Sequence, residues 1–88
     1  MAAYRYVVQG RVQGVGYRYF ASTEAEALGV SGFARNLPDG TVEVLGEGPE
    51  EALARFEEKL RAGPAFSRVE GVARAAVTPR GADGFHIR

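Results

Sequence analysis

Nine consecutive residues, Gly10-Arg11-Val12-Gln13-Gly14-Val15-Gly16-Tyr17-Arg18, combine three glycines with two arginines. Glycine accepts backbone angles that aim successive N–H groups at one point, and such a nest attracts anions. If a helix begins directly after the loop, its first N–H groups and the positive end of its dipole add to the same field. Arg18 falls in that first turn, where a planar guanidinium can place two donors on one oxyanion. Together these features suit a phosphate held without metal. A plain glycine-rich connection, with Arg11 and Arg18 solvating it, also fits the same residues. Two nucleotide loops do not. Gly10 and Gly14 are not followed by the Gly-Lys-Ser/Thr of an ATP-binding loop, and Gly14-x-Gly16 lacks the third glycine of a dinucleotide fingerprint.

The second chemically interesting residue is Asn36, the only asparagine in the chain. A carboxamide accepts and donates at once, so it can hold a water while touching a substrate oxygen. Its place before Leu37-Pro38-Asp39-Gly40-Thr41 also suits a turn-forming Asn. The remaining polar residues offer less. His86 is the sole histidine, and one histidine makes no convincing zinc site. No cysteine is present, which excludes disulfides, thiolate metal sites and thiol catalysis. No well-placed His, Cys or Ser suggests a covalent phosphoenzyme. Arg35 adds field near an anion or simply faces solvent. Ser22 and Thr23 fit ordinary positions on a helix. Tyr4 and Tyr6 share one strand face, as core or as a stacking platform.

Positioning these residues requires a fold. Eighty-eight residues suggest one domain, 1–88, with a modest core. Residues 4–9 predict a strand, and the apolar stripe Tyr17, Ala21, Ala25, Leu28, with Phe20 beside it, predicts a helix from Tyr17 to Leu28 closed by Gly29. Residues 30–37 and 41–46 predict a hairpin around the Pro38-Asp39-Gly40 turn. Pro49, Glu50 and Glu51 start a second helix that buries Leu53, Phe56 and Leu60 and ends at Gly63-Pro64. A weakly alternating strand follows at 69–78, then a loop, then a short edge strand at 85–88. The order β-α-β-β-α-β is the split βαβ, ferredoxin-like α+β pattern: an antiparallel sheet with two helices on one face and a short C-terminal edge strand. In that topology the first two strands run parallel. Their C-terminal ends emerge together, which brings Asn36 near the glycine loop.

Charge narrows the function. Eleven Lys and Arg balance eleven Asp and Glu, which argues against a nucleic-acid coat or a polybasic membrane anchor. Residues 1–23 nevertheless hold Arg5, Arg11 and Arg18 and no acid, a local bias suited to a small anion. No apolar run approaches the 18 residues of a membrane span and the N-terminus lacks a signal-peptide pattern, so the cytoplasm is the expected compartment.

The stretch Gly10 to Arg18, followed by Gly29-Val30-Ser31-Gly32-Phe33-Ala34-Arg35-Asn36, resembles both signature segments of the acylphosphatase family. Pro38-Asp39-Gly40-Thr41-Val42-Glu43-Val44 and the Gly48-Pro49 helix start also fit, so the resemblance spans most of the chain. It implies a ferredoxin-like fold and hydrolysis of acyl phosphates to a carboxylate and inorganic phosphate, with no cofactor and no metal. By the same resemblance Arg18 matches the phosphate-binding arginine and Asn36 the water-orienting asparagine. The amides of Gln13, Gly14, Val15, Gly16, Tyr17 and Arg18 then cradle the phosphoryl group. One departure is that some members carry an aromatic residue beyond Phe-x-Ile-Arg, where this chain stops at Arg88. The expected partners are a small acyl phosphate and its phosphate product, with no nucleic acid, no membrane and a monomeric state. The alternative is a ferredoxin-like module that binds a small anion or RNA without catalysis. Against RNA, the strand at 41–46 lacks the expected basic-aromatic motif and carries Glu43.

Overall fold

A computed structural model describes all 88 residues. The elements follow the order β1 (Ala2–Arg11), α1 (Tyr17–Leu28), β2 (Ser31–Asn36), β3 (Val42–Gly48), α2 (Glu50–Ala62), β4 (Arg68–Ala76) and β5 (Phe85–Ile87). They form one five-stranded sheet in the order β4-β1-β3-β2-β5. The ferredoxin-like topology is as the sequence predicts.

The sheet is mixed rather than wholly antiparallel. β1 pairs antiparallel with β3 and β4, and β2 antiparallel with β3, but β5 lies parallel to β2. The cause is the route of the chain. β4 leaves the sheet at the end where β1 begins, since Tyr4 pairs with Ala76. Residues 77–84 then cross to the far edge at that same end. A strand entering there can only run opposite to β4, which is the direction of β2.

Strand alternation sends Tyr6, Val8, Val42 and Val44 toward the helices, where they meet Tyr17, Ala21 and Ala25 of α1 and Leu53, Phe56 and Leu60 of α2. Burying such a side chain contributes about 1.5–3 kcal/mol, and this cluster is the chief source of stability. Tyr17 Oη donates to the Leu60 carbonyl oxygen (2.7 Å), which locks α1 to α2 and satisfies that hydroxyl, whereas the buried Tyr6 hydroxyl has no partner. α2 carries Glu50 and Glu51 in its first turn and Lys59 and Arg61 in its last, complementing its dipole at both ends. Pro49 sits at its N-cap. α1 differs: its first turn has no acid and its N-cap, Gly16, makes no side-chain bond.

β4 is the least regular strand. A register shift between Gln9 and Gly10 of β1 breaks its pairing, and its residues 73–76 are exposed. This explains its poor alternation in sequence: one of its faces has little to bury against.

Candidate active site

β1 and β2 both run antiparallel to β3, so both point the same way. Val42 of β3 pairs with Val8 of β1 on one side and Asn36 of β2 on the other. With neighbouring strands about 4.8 Å apart, Asn36 stands about 10 Å from Val8 at the same end of the sheet. The glycine loop begins four residues after Val8 and curls across that gap.

Gly14 and Gly16 both adopt left-handed backbone angles, φ 74° and 77°. This is the conformation that turns a short chain segment inward before α1 starts at Tyr17. The N–H groups of the first helical turn have no intrahelical acceptor, and no acidic side chain substitutes for one. Arg18 stands in that turn. Its Nη1 donates to the Arg88 backbone oxygen at 2.6 Å, which anchors one prong of the guanidinium. The four salt bridges of the chain belong to Arg5, Arg35, Arg61 and Arg74, and Arg18 makes none with an Asp or Glu side chain. A hollow of about 190 Å³ collects Gly14, Gly16, Arg18 and Asn36, together with Val12, Tyr17 and Tyr19. A guanidinium, a row of unpaired amides and an exposed carboxamide thus face one small space.

Of the residues singled out in sequence, Gly14, Gly16, Tyr17, Arg18 and Asn36 line this hollow. Val15 instead packs partly against the core. Gln13 sends its side chain elsewhere, to the Leu37 and Thr41 carbonyl oxygens, both at 2.8 Å. Tyr17 contributes only its backbone, because its ring is buried and burial pushes its hydroxyl pKa up, away from acid–base work. His86, the middle residue of β5, is exposed and does not line this hollow, its ring N–H bonded to the Asp83 carbonyl oxygen at 2.8 Å.

Arg35 faces away from the hollow. On the sheet face opposite the helices it joins Arg5 in gripping the carboxylate of Glu43, which is 6% exposed. Burial alone pushes the Glu43 carboxyl up, but the hydrogen bonds and charges of the two guanidinium groups outweigh it and hold the group below its ordinary value. That face carries a larger hollow, about 660 Å³, lined in part by Arg5, Phe33, Arg35, Leu45 and Arg88. Of its four arginines, Arg5 and Arg35 pair with Glu43 and Arg88 stacks over the Phe33 ring at 4.1 Å from the centroid, while Arg80 makes no ion pair; no left-handed glycine loop with a helix start opens onto it beside an Asn. Size alone therefore does not mark the site. Tyr4 and Tyr6 point to the helix side, with Tyr6 fully buried, which removes them as a stacking platform. No group of three His, Cys, Asp or Glu residues stands close enough to hold a metal ion, and no helix is long and apolar enough to cross a membrane.

Two contacts escaped the sequence reading. The Arg88 oxygen reaches Arg18 across 70 positions, and only the parallel placement of β5 beside β2 brings it there. The sequence offers only the backbone amide of Gln13, whereas its side chain bridges to the Leu37 and Thr41 carbonyl oxygens.

A small ferredoxin-like domain with an arginine-lined oxyanion cradle at the end of its sheet is a class with known members. Residues 4–87 match the acylphosphatase family profile. An acylphosphatase of Thermus thermophilus is 54% identical over 81 residues, 92% of each chain. The crystal structure of acylphosphatase from Bacillus subtilis superposes with a TM-score of 0.98 at 43% identity, over 100% of this chain and 99% of that one. A structure of an acylphosphatase from Coxiella burnetii gives 0.95 at 29% identity, over 99% and 92%. The chain belongs to the acylphosphatase family, and its activity is the hydrolysis of acyl phosphates.

Proposed function

We propose that Arg18 and the backbone amides of residues 13–18 hold the phosphoryl group of an acyl phosphate, and that Asn36 orients the attacking water. The observation that carries this reading is the convergence of a guanidinium with no Asp or Glu partner, the free N–H groups of the first helical turn and the Asn36 carboxamide on one hollow.

The chemistry asks little of acid catalysis, because the leaving group is a carboxylate. The barrier lies in stabilising the phosphoryl oxygens and aligning water with the bond that breaks. Arg18 and the amides hold the equatorial oxygens as charge redistributes. The water oxygen forms a bond to phosphorus while the bond from phosphorus to the acyl oxygen breaks. Its electron pair leaves with the carboxylate. Asparagine is a poor base, so the water proton passes to a phosphoryl oxygen, giving dihydrogen phosphate from a dianionic substrate. Residues 1–88 act here as a single domain, a cytoplasmic monomer acting on a small substrate without nucleic acid, with inorganic phosphate as product and inhibitor.

Steady-state release of phosphate from benzoyl phosphate, with a chelator present, tests the assignment. Arg18→Ala should lower kcat/KM by about 10³-fold and weaken inhibition by phosphate by more than about tenfold, because the anion contact persists throughout the reaction. Asn36→Ala should lower kcat by about 10²-fold and leave phosphate inhibition within about threefold, because its part is played in the attack. Tight phosphate binding without Arg18, full turnover without Asn36, or loss of activity to the chelator contradicts the proposal.

A further inference from the structure

The loop that cradles phosphate and the turn that carries Asn36 belong to different strands. One side chain joins them. Gln13 Nε2 donates both of its N–H groups, one to the Leu37 carbonyl oxygen and one to the Thr41 carbonyl oxygen, each at 2.8 Å. Both partners are acceptors, so only the NH₂ end of the carboxamide satisfies them, and its orientation is determined. No other side-chain hydrogen bond of the chain crosses between residues 12–16 and 36–41.

The turn it grips is already rigid. Leu37 N–H donates to the Thr41 oxygen at 2.9 Å and Gly40 N–H to the Leu37 oxygen at 3.1 Å. Asp39 Oδ1 accepts from the Thr41 N–H at 3.0 Å and from its hydroxyl at 2.6 Å. Gln13 therefore moves the turn as one body, and Asn36 is the residue immediately before it. Gln13 itself lies between the end of β1 and the left-handed Gly14, within the loop.

We infer that the Gln13 side chain is a positioning residue that sets the separation between the phosphate cradle and the Asn36 carboxamide, and so the alignment of the attacking water. The inference rests on the roles proposed for the cradle and Asn36. Its physical basis is the steep cost of misplacement: a shift of about 1 Å costs about 10²-fold in rate when the bound geometry must be a near-attack one. On that reading phosphate affinity depends on the loop amides and Arg18, and the turn at 37–41 adds no contact to it.

The test is a mutant cycle with Asn36→Ala. Gln13→Met keeps the length of the side chain and removes the donors. It should lower kcat by about 30-fold while phosphate inhibition moves less than about threefold. In the Asn36→Ala background the same substitution should lower kcat by less than about threefold, because the group it positions is gone. Gln13→Glu supplies a readout that packing does not move. At neutral pH its carboxylate faces two carbonyl oxygens with nothing to donate, and repulsion raises its pKa above the usual value of about 4.3. Its activity relative to the wild type at the same pH should rise several-fold between pH 7 and 5, as protonation restores one donor. This ratio decides the matter if Gln13→Met does not fold. An impaired Asn36→Ala combined with an unimpaired Gln13→Met, an equal loss in both backgrounds, or a flat Gln13→Glu ratio overturns the inference. Full turnover of Asn36→Ala instead overturns the site assignment on which it rests.

Discussion

Two loops of this chain bend through left-handed glycines and turn successive N–H groups inward. At one end of the sheet, residues 80–82 wrap the carboxylate of Glu47: the Arg80 N–H donates to Oε2 at 3.0 Å, and the Gly81 and Ala82 N–H groups donate to Oε1 at 3.0 and 3.1 Å. Gly81 has φ 74°, as Gly14 does. Glu47 is 2% exposed, and these N–H groups hold its carboxyl below the ordinary value. At the other end, the loop at 12–16 and the first turn of α1 offer the same kind of donors, and no carboxylate of the chain fills them. One nest is closed by an internal anion and staples a crossing segment to the sheet. The other is kept open, with Arg18 beside it. The proposed phosphate cradle is the nest from which the chain withholds its own anion.

The sharpest way to break this contrast is to empty the closed nest. Glu47→Ala leaves three N–H groups without their charged acceptor and should cost about 3 kcal/mol, read from urea unfolding. The kcat/KM for benzoyl phosphate should stay within about threefold, since β5 is still held to β2 by its own backbone bonds, among them Arg88 N–H to the Ala34 oxygen at 2.9 Å. A large loss of activity with unchanged stability would reverse the roles of the two loops. Acid sharpens the point. A carboxyl whose folded pKa is lowered contributes stability above its unfolded value, about 4.3, and loses it as pH falls through that value toward the lowered one. The wild type should therefore lose stability across this range, and Glu47→Gln should lose less. Some slope should remain, because Glu43 is shifted in the same direction by Arg5 and Arg35.

A smaller effect is expected from stiffening the open nest. A Cβ at Gly16 meets no atom within 4 Å, so Gly16→Ala is resisted only by the positive φ. The folding cost should be about 1 kcal/mol, and relaxation of the loop should weaken phosphate inhibition by about tenfold. Unchanged inhibition at that stability cost would mean that the loop amides do not touch the anion.

The parts of the molecule built by periodic burial were legible from residue types. Tyr17, Ala21 and Ala25 mark one face of α1, and Leu53, Phe56 and Leu60 mark one face of α2. The parallel relation of β1 to β2 followed from the element order, and with it the placing of Asn36 beside the glycine loop. What stayed hidden depends on single long-range polar contacts. Glu47 falls just beyond the strand expected over 41–46, and its partners are backbone N–H groups 33–35 positions away, which carry no side-chain signature. The direction of β5 follows from where that segment crosses. Gln13 and Arg88 likewise act through carbonyl oxygens, and any residue type supplies one.

The two nests present the same kind of donors, and what separates them is that Glu47 fills one while the other stands open beside Arg18. Titration of the ¹⁵N-labelled wild-type protein with inorganic phosphate, followed by amide chemical shifts, addresses that difference directly. The expected result is saturable movement of the amides of residues 13–18 together with the Arg18 guanidinium signal, while those of Arg80, Gly81 and Ala82 stay in place. Movement at residues 80–82 with none at 13–18 would contradict the account.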